Sequence, residues 1–336
     1  MTQINENYSL KKYNTFGVDV KARYFATPQS IQEIIDILEN KRECFPFMII
    51  GEGSNILFTR DFNGLVLKPA IRGIKIISSD REHCYAEVGA GENWDEFVHW
   101  AVESNLAGVE NLSLIPGSAG SSPIQNIGAY GAEVSDIIEK VNYLDLETLE
   151  IKSLPAGECH FGYRTSIFKY QLKNRIVITS VIFRLNTAHI YNTTYGNLQE
   201  EVEKMGDLSL ATVRQAVINI RNSKLPDPKI IGNAGSFFKN PVLGKEVACK
   251  IRQNYSSMPF YNLPGDLVKI PAGWLIEQCG WKGKKTGNAG VHDKQALVLV
   301  NHGNATGMEI KELAGKIMES VYEKFSIRLE PEVNII

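Results

Sequence analysis

One stretch of small residues constrains the fold more than any other feature of the chain. It runs from Pro116 to Gly131 and reads PGSAGSSPIQNIGAYG. The stretch has few side chains that could build a core, and its glycines lose much backbone entropy on folding. Such a cost is expected where the backbone must approach a ligand closely, or where a buried turn joins tightly packed elements. Both interpretations stay open at this point.

The same stretch contains a candidate helix start. Ser122 is a typical N-cap residue, and Pro123 suits the first helical position. A helix that begins here would direct unpaired N–H groups and a partial positive charge toward a phosphate. We therefore predict a helix N-terminus at Ser122–Pro123.

A second glycine-rich turn, Gly51–Asn55, reads GEGSN and lies between two predicted strands at 47–50 and 56–58. It does not match the dinucleotide fingerprint G-x-G-x-x-G, because the third glycine would fall at Ile56 and a strand follows. Taken alone, the pentapeptide favours a plain hairpin turn over a phosphate-binding turn. Two glycine-rich stretches in one chain favour a bound dinucleotide.

The charge balance excludes a general attraction to polyanions. The 336 residues include 36 Lys and Arg against 38 Asp and Glu, a net charge of −2. We therefore expect no nucleic-acid partner and no anionic membrane partner, and any anionic ligand needs a local cluster of cations. One cluster suits a phosphate-bearing substrate, with Asp227 as its nearby acid: Arg221, Lys224, Lys229 and Lys239.

Cysteine and histidine spacing argues against a disulfide scaffold or a metal site. The five cysteines are odd in number and never form C-x-x-C, and the six histidines show no ligand spacing. They are Cys44, Cys84, Cys159, Cys249 and Cys279. No apolar run approaches the ~20 residues that span a bilayer, and the polar N-terminus lacks a signal-peptide core. We expect a cytoplasmic protein.

Hydrophobic periodicity predicts an α+β chain rather than a regular βαβ series. Helices are predicted at 27–41, 92–104, 210–221 and after the capping box of Thr306 and Glu309. Alternating segments at 141–151 and 176–185 predict antiparallel strands, and 327–336 predicts a closing strand. The length favours two domains at ~150 residues each. Pro226 and Pro228 mark the best border, because neither residue can continue the preceding helix.

Three further segments carry side chains that could do chemistry. FGYRTSIFK (161–169) places Arg164 among apolar residues, where it pairs with a buried acid or clamps a carboxylate. GNAGSFFKNP (232–241) places Ser236 on a glycine-rich turn, as a proton donor or merely a cap. LEPEV (329–333) places Glu330 and Glu332 on one face of a strand, so at least one of them faces water.

Together and in this order, these segments resemble the bacterial flavoenzyme family of UDP-N-acetylenolpyruvoylglucosamine reductases. The resemblance runs from Asn14 to Val333 and rests on seven ordered motifs, too many for chance. The segment TTYGNL (193–198) resembles the branch of the family with an extra tyrosine-bearing loop over the substrate. The motifs are GEGSN, IPGSAGSSPIQNIGAYG, YRTSIFK, KLPDPK, GNAGSFFKNP, AGWLIEQC and LEPEV.

The resemblance implies an FAD-binding domain of the vanillyl-alcohol-oxidase/PCMH type, followed by an α+β substrate-binding domain. The implied limits are an FAD subdomain at 1–72, to which 329–336 returns, a second FAD subdomain at 73–223 and a substrate domain at 224–328. The PCMH-type region covers about 17–188. The chain is expected to act as a monomer.

The resemblance also implies the reaction. NADPH reduces bound FAD, and the flavin N5 passes a hydride to UDP-N-acetyl-3-O-(1-carboxyvinyl)-glucosamine, giving the peptidoglycan precursor UDP-N-acetylmuramate. The closest alternative is a flavin oxidase on the same FAD domain. Such enzymes often tether the flavin through a histidine in the phosphate-binding turn, and Gly51–Asn55 has none. A non-enzymatic nucleotide-binding module is the alternative of a different class.

By family match, three side chains share the chemistry. Arg164 pairs with the substrate carboxylate and the developing enolate, Ser236 protonates carbon, and Glu332 completes the polarising set. The residues matched to FAD binding are Gly51, Gly53, Ser54, Asn55, Pro116, Ser121, Ser122, Gln125, Asn126, Gly128 and Arg221. The residues matched to substrate binding are Tyr163, Tyr195, Lys224, Asn240 and Gln295, with Lys224 near the diphosphate.

One position departs from the family pattern. Asn334 stands where we expect many relatives to carry a basic residue and a longer tail. The surroundings of Glu332 are therefore the least determined part of the implied site.

Overall fold

The computed structural model describes residues 3–41 and 46–336, so Cys44 lies outside the described residues. Its contacts divide the chain into two compact units. The first comprises Ala22–Glu52 and Phe62–Ser223, together with the N-terminal residues up to Tyr8. The second comprises Ser9–Lys21, Gly53–Asp61 and Lys224–Ile336.

Strands and helices alternate irregularly along the chain. The strands are β1 (Asn5–Ser9), β2 (Lys21–Ala26), β3 (Phe47–Ile49), β4 (Ile56–Leu57), β5 (Phe62–Leu67), β6 (Ile74–Ser79), β7 (His83–Gly89), β8 (Gly128–Ala129), β9 (Ala132–Glu133), β10 (Ile138–Asp145), β11 (Ile151–Pro155), β12 (Ile176–Asn186), β13 (Gly232–Ser236), β14 (Val242–Gly244), β15 (Tyr261–Leu263), β16 (Leu267–Lys269), β17 (Lys285–Thr286), β18 (Ala289–Val291), β19 (Val298–Asn301) and β20 (Asn334–Ile335). The helices are α1 (Ile31–Lys41), α2 (Trp94–Glu103), α3 (Leu198–Glu203), α4 (Leu210–Lys224), α5 (Lys245–Asn254), α6 (Ala272–Gln278) and α7 (Gly307–Phe325).

Two sheets organise the first unit. The first has the strand order β1-β2-β5-β3, with β5 parallel to both β2 and β3. The second has the order β11-β10-β12-β7-β6 and is antiparallel throughout. The predicted antiparallel pairing is confirmed, since Val141 of β10 lies opposite Val181 of β12.

Each of these sheets buries the apolar face of a helix. Trp94 and Phe97 of α2 pack with Phe183 of β12 in one core. Ile34 and Leu38 of α1 pack in a second core with residues of β2 and β5. Burial of such side chains stabilises the fold by about 1.5–3 kcal/mol each.

The four helices predicted from periodicity and capping, at 27–41, 92–104, 210–221 and after Thr306, exist with adjusted ends. The helix predicted from residue 27 begins at Ile31, because Ser30 Oγ accepts the amide of Glu33 at 3.2 Å and thereby starts the first turn. The helix predicted to end at residue 221 continues to Lys224. The hairpin interpretation of Gly51–Asn55 is wrong, since β3 pairs with β5 whereas β4 pairs with β20.

The second unit contains an antiparallel sheet ordered β13-β19-β18-β17, a small sheet ordered β14-β16-β15, and the parallel pair β4 and β20. The predicted closing strand is shorter than expected, because only Asn334–Ile335 pairs as a strand. Pro331, which lacks an N–H, forms an isolated bridge with Phe238. Within the described residues no helix is long and apolar enough to cross a membrane.

The capping box predicted at the start of α7 is confirmed. Thr306 Oγ1 accepts the amide of Glu309 at 3.2 Å, and Glu309 Oε2 accepts the amide of Thr306 at 2.7 Å. The bond from the Thr306 amide holds the pKa of Glu309 below its usual range. Two amides that the first helical turn leaves unpaired are thus satisfied.

Replacing Thr306 by Ala should lower the free energy of unfolding by about 1 kcal/mol, because the cap bond to Glu309 is lost. Urea unfolding of the purified variant measures the change. Glu312→Ala, an exposed substitution on the same helix, is the control and should stay close to wild type. Equal stability of Thr306→Ala and Glu312→Ala would contradict the capping role.

Candidate active site

The two glycine-rich stretches approach each other within the first unit. A Cβ atom built on Gly51 would lie 3.0 Å from Ser118 Oγ and 3.3 Å from Ser121 Cβ. The gap between the two turns therefore admits a backbone without a side chain. We call the surface formed by the backbone of Gly51 and the hydroxyl groups of Ser118 and Ser121 the cradle. A surface of this kind suits an anionic ligand that lies along it.

The second turn is fastened to the strand and helix beneath it. Gly120 packs on Ala90, since a Cβ at Gly120 would lie 2.5 Å from Ala90 Cβ. The amide of Gly120 donates to the Ala90 carbonyl at 3.0 Å, and that of Trp94 donates to the Gly117 carbonyl at 3.0 Å. The turn is thus held between the end of β7 and the start of α2.

The helix predicted at Ser122–Pro123 is wrong. A single 3-10 turn at Ala119–Ser121 takes its place, with Ser118 as the cap. Ser122 is buried and ends this turn with φ at −62° and ψ at −42°, rather than with the extended angles of an N-cap, and its hydroxyl donates to the Ala119 carbonyl at 2.8 Å. The chain then leaves helical geometry at Asn126, where φ is +45°. The anion site that was expected from a helix dipole is replaced by the cradle at Gly51.

Asn126, which was matched to FAD binding, organises the neighbouring loops. Its buried side-chain amide donates to Glu133 Oε2 at 2.8 Å and to the Gly162 carbonyl at 3.1 Å. Its Oδ1 accepts the amide of Ser135 at 3.0 Å. These bonds use both amide hydrogens, so this side chain ties the glycine-rich stretch to the segment that carries Arg164.

Arg164 lies in a tight turn closed by the bridge between Gly162 and Thr165. Its backbone is left-handed, with φ at +56°, and Lys169 Nζ donates to its carbonyl at 3.0 Å. Its guanidinium donates to the carbonyls of Asn126 at 3.2 Å and Gly128 at 2.7 Å. These bonds orient the guanidinium against the glycine-rich stretch. A strained backbone held in this way is common at functional sites.

Arg221 presents a buried donor of the kind that an anion would satisfy. Its Nε is buried and has no partner among the described residues. Burial lowers the pKa of Arg221, whereas Tyr130 and Asp95 raise it. An unpaired buried N–H costs about 1–3 kcal/mol. The residues of this unit therefore fit a diphosphate-bearing cofactor on two counts, the cradle at Gly51 and the unpaired donor of Arg221.

An ion pair fastens α4 to α2. Arg214 donates two hydrogen bonds to Asp95, at 2.7 and 2.9 Å, and the amide of Leu114 donates to Asp95 at 2.5 Å. Burial alone would raise the pKa of Asp95, but the bonds from Arg214 and Leu114 outweigh it and lower the pKa. Leu114 precedes the glycine-rich stretch, and α4 carries Arg221. Asp95 thus ties the residue that precedes the glycine-rich stretch to the helix that carries Arg221.

The two tyrosines matched to the substrate also belong to the first unit. Tyr195 is 54% exposed and Tyr163 is 44% exposed. The Tyr163 ring lies 5.6 Å from the Arg164 guanidinium carbon, within cation–π range. Tyr195 packs edge-to-face on Tyr130 with a centroid distance of 6.2 Å.

In the second unit, a backbone hydrogen bond places the segment of Glu332 beside the end of the strand that carries Ser236. Ser236 is exposed at the end of β13, opposite Val298 of β19. The amide of Glu332 donates to the carbonyl of Phe237, the residue after Ser236, at 2.8 Å. Glu330 is the solvent-facing acid of its pair, as expected for at least one of them, and it binds Lys239 at 3.0 Å.

Asn240 and Gln295 meet at the start of α6. Asn240 Oδ1 accepts the amide of Ala272 at 2.9 Å, and a Cβ on Gly273 would lie 3.0 Å from Gln295 Oε1. Lys224, the last residue of α4, is exposed and belongs to the second unit. The structure therefore groups two of the three substrate-matched side chains of this unit.

The family departure at Asn334 has a structural role. Asn334 Nδ2 donates to the Asn55 carbonyl at 3.0 Å, and Asn55 Nδ2 donates to the Glu332 carbonyl at 3.3 Å. The other predicted cofactor residues of this unit, Gly53 and Ser54, precede Asn55 in the same turn. A Cβ on Gly53 would collide with the Tyr13 carbonyl, so this position also requires glycine. Asn334 thus connects the turn to the segment of Glu332.

Comparisons with known proteins agree with this arrangement. Residues 22–150 match the model of an FAD binding domain, and residues 227–336 match that of the C-terminal domain of UDP-N-acetylenolpyruvoylglucosamine reductase. The reductase of that name from Flavobacterium johnsoniae is 48% identical, over 99% of this chain and all of the relative. The one from Bacteroides fragilis is 46% identical over 99% of this chain. The chain belongs to the UDP-N-acetylenolpyruvoylglucosamine reductase family.

A solved structure supports the family assignment at the level of the fold. The reductase of this family from Thermus caldophilus superposes with a TM-score of 0.70 at 22% identity, covering 100% of this chain and 98% of that one. The predicted arrangement of an FAD-binding domain followed by an α+β domain is confirmed. The protein is an FAD-dependent oxidoreductase of peptidoglycan precursor synthesis.

Several residues that build the site escaped the sequence analysis. Asp95, Lys169 and Tyr130 were not singled out for a role, although Lys169 and Tyr130 lie inside quoted motifs. Asp95 looks like an ordinary acid in the first turn of a helix, where acids are common. Its pairing with Arg214, 119 positions away, leaves no local signal.

Replacing Asp95 by Asn should lower the free energy of unfolding by about 2 kcal/mol at neutral pH, because the charged bonds to Arg214 are lost. The pKa of Asp95 is lowered in the folded chain, so its stabilisation is complete above the unfolded value of 3.8 and disappears as pH falls through the folded pKa. Urea unfolding should be measured at neutral pH and at a pH below 3.8. The difference in the free energy of unfolding between Asp95→Asn and wild type should become smaller at the acidic pH.

The matched control is Glu96→Gln, which changes an exposed acid in the same helical turn. It should leave stability nearly unchanged at both pH values. A constant gap between Asp95→Asn and wild type across this range would contradict the assignment of the carboxylate.

Proposed function

We propose that this member of the reductase family uses NADPH and bound FAD to reduce UDP-N-acetyl-3-O-(1-carboxyvinyl)-glucosamine to UDP-N-acetylmuramate. The observation that carries the proposal is the 48% identity over the full length of a relative named for this reaction. The cytoplasmic location and the monomeric state remain predictions.

The cradle of the first unit supports the proposed cofactor contacts. Gly51, Ser121 and Arg221 would hold the FAD diphosphate, since the turns meet at Gly51 and the Arg221 Nε has no partner in the described part of the chain. Bound FAD supplies hydride-transfer chemistry, accepting a hydride from NADPH and delivering one to the terminal carbon of the enol ether. The remaining proposed contacts are Gly53, Ser54, Asn55, Pro116, Ser122, Gln125, Asn126 and Gly128.

Arg164 is proposed to stabilise the charge that hydride addition creates. Addition to the terminal carbon leaves negative charge on the carbon that bears the carboxylate, as an enolate. A guanidinium aimed beforehand by the carbonyls of Asn126 and Gly128 needs no reorganisation when that charge appears. Its charge also suits the substrate carboxylate.

Ser236 is proposed to give its hydroxyl proton to the enolate carbon. The exposed position of Ser236 at the end of β13 makes the hydroxyl accessible to a ligand. A serine hydroxyl is a weak acid, but an enolate is a strong base, so the transfer is feasible once the geometry is fixed. Glu332, whose amide binds the Phe237 carbonyl, completes the proposed set from the adjacent segment.

Five side chains are proposed to hold the UDP-sugar. Lys224, an exposed lysine, would bind the diphosphate as a flexible point charge. Tyr163 and Tyr195 offer exposed rings for the sugar and the base. Asn240 and Gln295 present amide groups at the start of α6.

Anaerobic mixing separates this reductase from a flavin oxidase. Enzyme reduced with one equivalent of NADPH is mixed with the UDP-enolpyruvyl sugar, and flavin absorbance is followed. Prompt reoxidation by the sugar supports the proposed function. No response to the sugar under anaerobic conditions, followed by reoxidation once oxygen is admitted, would reject it in favour of an oxidase. A redox-silent protein would favour the nucleotide-binding module.

Ser236→Ala should retain flavin reduction by NADPH and lose sugar-driven reoxidation by about 100-fold or more, because a positioned proton donor contributes on that order. Stopped-flow absorbance measures both half-reactions. Ser257→Ala, an exposed serine of the same unit, is the control and should resemble wild type. Equal loss of both half-reactions in Ser236→Ala would contradict the proton-donor role.

A further inference from the structure

Two segments of the first unit meet around a tyrosine pair. One is the tyrosine loop, defined here as residues 187–197, which has little regular structure and carries Tyr195. The other is the turn Ala129–Gly131 of the glycine-rich stretch, which carries Tyr130. Their rings pack edge-to-face, with an interplanar angle of 83°.

The buried side-chain amide of Asn111 bonds to both segments. Asn111 is only 3% exposed, and its Nδ2 donates to the Tyr130 carbonyl at 2.8 Å and to the Asn192 carbonyl at 2.7 Å. Its Oδ1 is buried and has no partner among the described residues. The burial of an unpaired oxygen is costly, so the benefit of this residue must lie in its two donors.

The tyrosine loop also donates a hydrogen bond to the turn Ala129–Gly131. Asn192 Nδ2 donates to the Gly131 carbonyl at 3.1 Å. A Cβ on Gly131 would lie 3.0 Å from Asn192 Nδ2 and 3.5 Å from Tyr195 Cβ, so the backbone of Gly131 lies close to these two side chains of the loop. Three hydrogen bonds and a ring contact therefore set the position of Tyr195.

We propose that Asn111 is a positioning residue that holds the tyrosine loop in place, so that Tyr195 meets the UDP-sugar without a prior ordering step. The assignment of Tyr195 to the substrate rests on the proposed function. Only a primary amide supplies two N–H donors from one short side chain, since a carboxylate accepts and a hydroxyl donates once. Preorganisation of this kind strengthens binding without a contact between Asn111 and the ligand.

Asn111→Ala should raise the KM for the UDP-sugar about tenfold and leave kcat within about twofold, because substrate binding must then order the loop. Hydrogen exchange should quicken in peptides that cover 187–197, and the UDP-sugar should restore their protection. Asn111→Ser keeps one donor for two carbonyls and should show the same changes to a smaller degree. This second variant guards against a simple failure of Asn111→Ala to fold.

Asn142→Ala is the matched control. This amide donates to Glu87 and Ser180 within the antiparallel sheet, remote in sequence from the loop. Its loss should lower thermal stability and leave both the KM and the exchange of 187–197 unchanged. If either Asn111 variant behaves like Asn142→Ala, with reduced stability and no change in KM or loop exchange, the positioning role is overturned.

The exchange measurement separates this inference from the proposed function. A wild-type enzyme that gives no flavin reoxidation with the UDP-sugar would reject the function. Faster hydrogen exchange of 187–197 in Asn111→Ala would then still support the positioning role of Asn111, and unchanged exchange would overturn it.

Discussion

The site depends on the close approach of glycine-rich backbone, in which the absence of side chains brings two distant turns together. Gly51 faces Ser118 and Ser121 across a gap in which a Cβ would be tightly packed, and Gly120 sits directly on Ala90. Such packing costs backbone entropy, and a ligand that binds the folded state offsets this cost. A chain of net charge −2 needs local donors for an anionic cofactor, and we propose for this role the cradle and the Arg221 Nε, which has no partner among the described residues.

Buried amide side chains give these side-chain-poor turns their shape. Asn126 satisfies two acceptors and one donor and ties the stretch to the turn of Arg164. Asn111 joins the turn Ala129–Gly131 to the tyrosine loop. Each amide crosses segments far apart in the chain, so each fixes a geometry that hydrophobic packing, which is not directional, could not specify.

Most of the secondary structure follows from the sequence, because periodicity and capping are local signals. The capping box at Thr306 and the pairing of β10 with β12 needed only patterns within each segment. The prediction of a helix at Ser122–Pro123 was wrong because Ser122 closes the preceding 3-10 turn, with its amide and its hydroxyl both bonded to the Ala119 carbonyl. The pairing of Asp95 with Arg214, 119 positions apart, has no local signature. The candidate site residues were found through ordered motifs, whereas the groups that orient them became visible only in the fold.

The most direct test of the account is an FAD titration of flavin-stripped protein carrying Gly51→Val. A side chain here would enter the gap toward Ser118 and Ser121, so FAD should bind at least about tenfold more weakly, with the fold retained. Gly157→Val, at an open position of the same unit, should bind FAD like wild type. Undiminished FAD affinity in Gly51→Val would show that the cradle does not hold the cofactor and would contradict the account.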